Sequence, residues 1–282
     1  MDLDFSENAS ILPSATPITV PDGAIELFPR PMGPKIFLLP KEDRILKVGS
    51  GVKRSEAEAM RFVSSNTSIP VPTVYDAYVR EGNSYIIMSR AKGAPLGQVW
   101  DRLSIEQKAL ILRQLNHYVA ELESLSADFY GALWNLPSED IFFHHHPFRN
   151  GNILYGPYYS RQEYNTGLVA ALANSRPDRL LSASDQALAE QLLQIDDDGK
   201  ISSHGDLPRS NIIVDNTCRI TAILDWEGAG FSIQGRDYYE ARARARNKEW
   251  AEALSVVFSK DAQVHYELLR ELDTALTLYT GI

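Results

Sequence analysis

A chain of 282 residues that is 23% charged and 44% hydrophobic has the composition of an ordinary globular protein, long enough for one large domain or two lobes with ample core. Its formal charge of −9 argues against nucleic acid as a partner, and it suits a cationic or a neutral small molecule alike, because net charge does not say where the charge lies. One cysteine, Cys218, excludes an intrachain disulfide and a cysteine-rich metal site; with no leader-like or long apolar stretch, the expectation is a soluble cytoplasmic protein with no membrane partner.

Residues 1–22 are rich in Ser, Thr, Pro, Asn and Asp, lack periodicity, and read as an irregular arm. Lys35-Ile36-Phe37-Leu38-Leu39 and Ile45-Leu46-Lys47-Val48, separated by the polar Lys41-Glu42-Asp43-Arg44, predict a strand hairpin. Gly49-Ser50-Gly51 ends it, and the spacing of Ala59, Met60, Phe62 and Val63 predicts a helix. Ile69-Pro70-Val71-Pro72 is extended, since each proline pushes its predecessor out of the helical region. Two strands follow, Thr73 to Val79 and Ser84 to Ser89, joined by Glu81-Gly82-Asn83. After Arg90 the texture turns helical. Ser104 with Gln107 forms a capping box for a long helix through Leu125, with Leu112, Leu115, Val119 and Leu122 as its core stripe. Residues 126–160 are irregular and aromatic; helices are expected over 161–174 and 184–194, then a short strand hairpin, then helical segments from 235 to the end. The implied division is an arm at 1–22, a β-rich half at 23–91 and a helical half at 92–282.

Chemistry concentrates in His204-Gly205-Asp206-Leu207-Pro208-Arg209-Ser210-Asn211 and, after two apolar runs, Asp225-Trp226-Glu227. Asp206 in a glycine-flanked loop can accept a hydroxyl hydrogen bond and its proton, although loop aspartates beside glycine commonly just close turns. Asn211 lies at a spacing that lets one loop present both side chains to one space, and its amide oxygen suits Mg²⁺ among phosphates. Asp225 ends the apolar run Ile220-Thr221-Ala222-Ile223-Leu224, where a carboxylate needs a partner; a metal ion is one, solvent at a strand end is the alternative. Trp226 is expected to pack beneath the site, and Glu227 reads equally as an outer metal-side group or an ion-pair member. Lys47 interrupts an apolar strand and precedes a helix carrying Glu56 and Glu58. A lysine on nucleotide phosphates braced by a helical glutamate is a kinase arrangement; the helical wheel favours Glu56, with Met60 and Val63, and leaves Glu58 to cap with Ser55. His204 reads as structural support and Asp237, after Gly235-Arg236, as a helix cap. His144-His145-His146 looks like a metal cluster, but adjacent residues point in different directions. Phe142, Phe143, Tyr155, Tyr158 and Tyr159 are candidates to line an acceptor pocket, against the commoner use of aromatics as core.

These residues in this order resemble the aminoglycoside phosphotransferase family, in particular its fungal members. The match runs from about Lys35 to about Tyr239. It rests on Ile45-Leu46-Lys47-Val48, the Glu56 to Val63 helix, Ile69-Pro70-Val71-Pro72, Ile86-Ile87-Met88 with Gly93-x-Pro95-Leu96, His204-Gly205-Asp206-Leu207, Asn211-Ile212-Ile213-Val214-Asp215, and Ile223-Leu224-Asp225-Trp226-Glu227. The resemblance implies an α+β, bilobal protein-kinase-like fold with a small β-rich N-lobe, a larger helical C-lobe and ATP between them. It implies Asp206 as base, Asn211 and Asp225 as Mg²⁺ ligands, Lys47 with Glu56 at the phosphates, and adenine on the backbone of Ser89 to Ala91 after Met88. Three departures stand out. Pro208 replaces the family's second loop histidine; Gly33 is a poor substitute for a glycine-rich phosphate loop; and the long activation segment of protein kinases is absent. The last favours a small-molecule hydroxyl acceptor over a protein one. The expected activity is ATP- and Mg²⁺-dependent phosphoryl transfer to a small molecule. The alternatives are a catalytically silent kinase-like protein that binds a nucleotide or metabolite, and a protein kinase.

Overall fold

In the computed structural model, which describes residues 18–144, 153–197 and 199–279, the apolar runs of the first half form one antiparallel sheet. Its strands are β1 (Ile25–Leu27), β2 (Lys35–Leu39), β3 (Arg44–Gly49), β4 (Val74–Arg80) and β5 (Asn83–Ser89), in the order β1-β2-β3-β5-β4. The helix α1 (Arg54–Asn66) links β3 to β4 and buries Ala57, Met60 and Val63 in a core shared with Ile86 and Met88. Side chains alternate across a strand. Leu46 and Val48 therefore join Phe37, Leu39 and Tyr85 on the outer face, under Ile18, Val20 and Ala24, while Lys47 turns to the face that α1 covers. Its register partners are Ile36 and Ile86.

Two local readings change. Ile18 and Val20 pack on the outer face, and the Thr19 N–H donates to Tyr85 Oη at 3.2 Å, so the end of the expected arm belongs to the core; residues 1–17 lie outside the described residues. Helix α1 starts after Lys53 with no side-chain cap, and Glu58 pairs with Arg61 at 2.6 Å instead of capping with Ser55. With the start two residues earlier than that box requires, Glu58 falls beyond the first exposed N–H groups.

The chain leaves the sheet at Ser89, and β6 (Ala94–Pro95) pairs with β9 (Ile212–Val214) of the helical half. Gly93 makes this crossing feasible: its φ is +131°, and any Cβ there would collide with the Val214 carbonyl. Beyond it come α2 (Leu96–Val99), α3 (Ile105–Ser124), β7 (Gly131–Ala132), α4 (Arg161–Asn174), α5 (Ala183–Leu193), β8 (Ile201–Ser203), β10 (Ile220–Ile223), β11 (Gly230–Ser232), α6 (Arg236–Ala243), α7 (Lys248–Val257), α8 (Lys260–Gln263) and α9 (Tyr266–Thr277). The expected Ser104–Gln107 box caps α3, and its buried stripe is Ile111, Leu115, Val119 and Leu122, with Leu112 on the flank. Two three-stranded sheets, β10-β9-β6 and β7-β11-β8, tie the helices to the loops between them. Phe142, Phe143 and Tyr155 are buried in a second core with Tyr130, Tyr164 and Tyr239, and Tyr158 packs against it, so these aromatics are structural; Tyr159 alone of the five is exposed. Among the described residues no helix is long and apolar enough to cross a membrane.

One charge lies at the centre of the helical half. Arg236, buried at the start of α6, pairs with Asp140 at 2.6 Å and Glu240 at 2.9 Å. Its remaining N–H groups donate to the carbonyls of Gly228 (2.9 Å) and Glu139 (3.0 Å). Burial opposes its charge, but the two carboxylates outweigh burial and hold the guanidinium protonated. Nothing in the sequence separates such a buried arginine from a surface one. Removing one partner of a buried pair leaves the other uncompensated. Arg236→Gln is therefore expected to lower the unfolding free energy by about 3–5 kcal/mol in urea titration, while Arg80→Gln on the exposed face of β4 shifts it by no more than about 0.5 kcal/mol. Equal midpoints for the two variants would contradict this account of the core.

Candidate active site

Strand β8 delivers the chain into the loop His204–Asn211, and Asp237 holds the entry. Its carboxylate accepts from Ser203 Oγ, the His204 N–H and the Gly205 N–H, each at 2.7 Å. The helix α6 is capped by Gly235, so Asp237 is not the expected helix cap; it sits inside the first turn and fastens the loop. Gly205 adopts φ +79°, and a Cβ there would lie 2.5 Å from the Gly228 carbonyl and collide with the Arg236 guanidinium, so only glycine fits.

His204 is buried against Trp226, ring centroids 4.3 Å apart. Its Nδ1 accepts from the Asp206 N–H at 3.1 Å, so the ring proton belongs on Nε2, which then donates to the Leu224 carbonyl at 3.0 Å. The histidine thus links the loop bearing Asp206 to the strand end bearing Asp225, the supporting role expected of it.

The β9–β10 hairpin brings in the other groups. Ile212 faces Ile223, and the Leu224 N–H donates to the Asn211 carbonyl at 2.8 Å, which sets Asn211 beside Asp225. The Asn211 amide donates to the Asp206 carbonyl oxygen (3.1 Å) and to its carboxylate (3.3 Å). Asp225 adopts a left-handed φ of +67°, which turns its side chain off the strand and toward the sheet of the first half. There its Oδ1 accepts from Lys47 Nζ at 2.8 Å, and Lys47 is held on its other side by Glu56 at 2.7 Å. Burial disfavours the lysine charge, yet Glu56 and Asp225 outweigh it and raise the Lys47 pKa. Carboxylate oxygens of Glu56, Asp225 and Glu227 lie within 4.8 Å of one another. The ion-pair reading of Glu227 finds no cationic partner among the described residues.

The donor set suits a hard divalent cation: two carboxylates, Asp225 used in part by the protein's own hydrogen bonds and Glu227 by none among the described residues, with oxygen as the ligand atom. His144 approaches Glu139 at 3.3 Å and joins no metal-type cluster among the described residues; His145 and His146 lie outside them. Lys53, at the start of α1, also reaches Glu139, at 2.5 Å, and so fastens the end of α1 that carries Glu56 to the helical half.

In the connector between the halves, Met88 is buried in the shared core, while Ser89 donates its N–H to the Thr73 carbonyl (2.8 Å) and accepts from the Thr73 N–H through Oγ (2.9 Å). Ala91 follows with backbone groups that have no hydrogen-bond partner among the described residues. Arg90 (3.4 Å) and Lys92 both pair with Asp43 of the β2–β3 turn, which steadies the connector. The loop between β1 and β2 contains Gly33 at φ +91° and exposes Phe28 and Met32, with no run of glycines. The structure therefore gathers Lys47, Glu56, Asp206, Asn211 and Asp225 and puts Met88, Ser89 and Ala91 on the connecting strand and segment. Sequence reasoning missed Lys53, Glu139 and Arg244. Arg244 contacts Asp206 directly, and the alternation Arg242-Ala243-Arg244-Ala245-Arg246 resembles an ordinary solvated face.

Comparison with known proteins bears on this arrangement. The model of the phosphotransferase enzyme family matches residues 38–272, well over half of the chain. No curated protein matches by sequence. Among solved structures, a protein from Ralstonia eutropha JMP134, provisionally assigned as an aminoglycoside phosphotransferase, superposes with a TM-score of 0.55 at 17% identity, covering 95% of this chain and 77% of its own. Macrolide 2'-phosphotransferase type I superposes at 0.55 and 13% identity, covering 92% and 89%. At such identities the likeness establishes the kinase-like α+β fold.

Burial lowers the His204 pKa, against the pull of Asp237, Asp206 and Asp225. The folded protein then binds a proton at His204 less readily than the unfolded chain, so stability is full above the ordinary value of about 6.5 and is lost as pH falls through the depressed folded value. Protonation at Nδ1 would also break the bond to the Asp206 N–H. The melting temperature is expected to fall between pH 7.5 and pH 5, and to fall less in His204→Asn, whose starting value is lower (both pH values are chosen to bracket about 6.5). Parallel slopes in the two proteins would contradict the neutral, buried histidine.

Proposed function

This chain belongs to the phosphotransferase enzyme family, and from that premise we propose that it transfers the γ-phosphoryl group of ATP, with Mg²⁺, to a hydroxyl of a small molecule. The observation that carries the reading is the convergence of Asp206, Asn211 and Asp225, from two neighbouring turns, with the Lys47–Glu56 pair bonded to Asp225.

Asp206 orients the acceptor hydroxyl and takes its proton. The acceptor oxygen forms its bond to the γ-phosphorus while the bond from that phosphorus to the β–γ bridging oxygen breaks, and the electron pair leaves with ADP. Lys47 holds the α- and β-phosphates, kept charged and aimed by Glu56. Asn211 and Asp225, with Glu227 close to Asp225, would hold Mg²⁺, which would supply neutralisation of the triphosphate's charge. The backbone of Ala91, without a partner among the described residues, offers the adenine edge a donor and an acceptor beside Ser89 and the buried Met88. Support for a small-molecule acceptor comes from the short path between Glu227 and α6: β11 follows at once, leaving no room for the long segment on which protein kinases seat peptides.

Asp206→Asn is expected to lower phosphoryl transfer by at least about 10²-fold while leaving Mg·ATP affinity, measured by calorimetry, within about twofold. Turnover equal to wild type would remove the base assignment. Asp225→Ala should weaken Mg·ATP binding and spare binding of metal-free nucleotide; equal affinities with and without Mg²⁺ in that variant would remove the ligand assignment.

A further inference from the structure

Asp206 is only partly open to solvent and meets a cation there. Arg244, the residue at which α6 ends, lays Nη1 on Asp206 Oδ1, and Glu240, one turn back, steadies its Nη2 at 3.6 Å. An arginine at a helix C-terminus needs no such partner, because the last carbonyls already favour a cation there. Glu240 is itself buried and satisfied by Arg236. A guanidinium has five N–H groups, and these two contacts use two. The Arg244 side chain keeps 41% of its surface exposed, so the remaining donors open toward the solvent from which a hydroxyl must reach Asp206. The neighbouring cation is not available: Arg242 donates to the Ala251 carbonyl and lies over the rings of Tyr238 and Tyr266.

We propose, resting on the phosphotransferase reading above, that the acceptor is an oxyanion-bearing alcohol, with a carboxylate or phosphate a few atoms from the reacting hydroxyl, and that Arg244 recognises that group. Asp206 Oδ2 receives the Asn211 amide and Oδ1 the Arg244 guanidinium, so a hydroxyl bonded to Oδ1 sits beside Arg244. Its N–H groups not used by Asp206 and Glu240 are open to a further oxyanion, and an anionic group on the acceptor meets them in the bidentate geometry arginine favours. A cationic acceptor would instead set like charges at contact distance. The overall charge of −9 does not oppose this, since the local charge at the mouth of the site is a guanidinium.

The test is ADP release from Mg·ATP with four acceptor sets at equal concentration, products confirmed by phosphorus NMR: hydroxy acids (glycerate, gluconate), sugar phosphates (glucose 6-phosphate), neutral polyols (glycerol, glucose) and amino alcohols (choline, glucosamine, kanamycin). Turnover is expected in the hydroxy-acid or the sugar-phosphate set, and which of the two responds identifies the anion. For the acceptor found, Arg244→Gln should lower kcat/KM by about 10- to 100-fold, chiefly through KM, with the KM for ATP unchanged. Arg244→Lys should recover part of the loss, and Arg244→Glu should move preference toward the amino alcohols. Turnover confined to neutral or cationic acceptors overturns the proposal, as does an Arg244→Gln variant that loses kcat equally for every acceptor, which would assign the guanidinium to the transferred phosphoryl group. Turnover in no set, with Mg·ATP bound normally, would count against the phosphotransferase reading itself and take this proposal with it.

Discussion

A single ammonium group ties the two halves of the molecule together at the site. Lys47 Nζ is held by Glu56 from α1 and by Asp225 from the end of the β9–β10 hairpin, 178 positions along the chain from the lysine. A buried lysine in a strand would be costly alone. Two carboxylates make it tolerable and hold its charge in a fixed place, which is where the proposed reading sets a polyphosphate. The position of α1 is then a condition of the site rather than a detail of packing. The Lys53–Glu139 contact, at the start of that helix, fastens it a second time to the helical half.

Behind Asp206 runs a chain of alternating charges. Asp140, Arg236, Glu240, Arg244 and Asp206 form successive ion pairs, from a fully buried pair to a partly exposed carboxylate. Asp237 and His204 clamp the loop from the backbone side, so Asp206 is positioned from three directions. Such a network is only as good as its satisfaction, since each member left unpaired in a low-dielectric interior is penalised. Its buried end confers rigidity. Arg244, one step from its exposed end, keeps 41% of its side chain open to solvent.

Much of this was legible along the chain because local chemistry carries it. The capping box at Ser104, the alternation around Lys47 and the turn at Glu81-Gly82-Asn83 are rules acting within a few residues, and each element formed where those rules put it. Glu56 was preferred to Glu58 by its place on the wheel, and the side chain at 56 is the one on Lys47. Readings failed where a partner from elsewhere intervened. Asp237 fastens Ser203, His204 and Gly205 instead of capping its helix, and the aromatics of 142–158 fill a core rather than line a pocket. Cap propensity is local; a strand arriving from 33 positions away is not.

Residue type and spacing thus marked out the candidate groups and the elements that carry them, because an oxygen-rich loop, a lone lysine and an amphipathic helix announce themselves over a few turns. The three-dimensional packing settled which charges meet. That Arg236 lies at the centre of the helical half, that Lys53 bridges to Glu139, and that Arg244 rests on Asp206 are contacts across 38 to 97 residues. Arginine and lysine look alike on any surface helix, and only burial and the arrival of a distant carboxylate distinguish a solvated cation from one that governs the site.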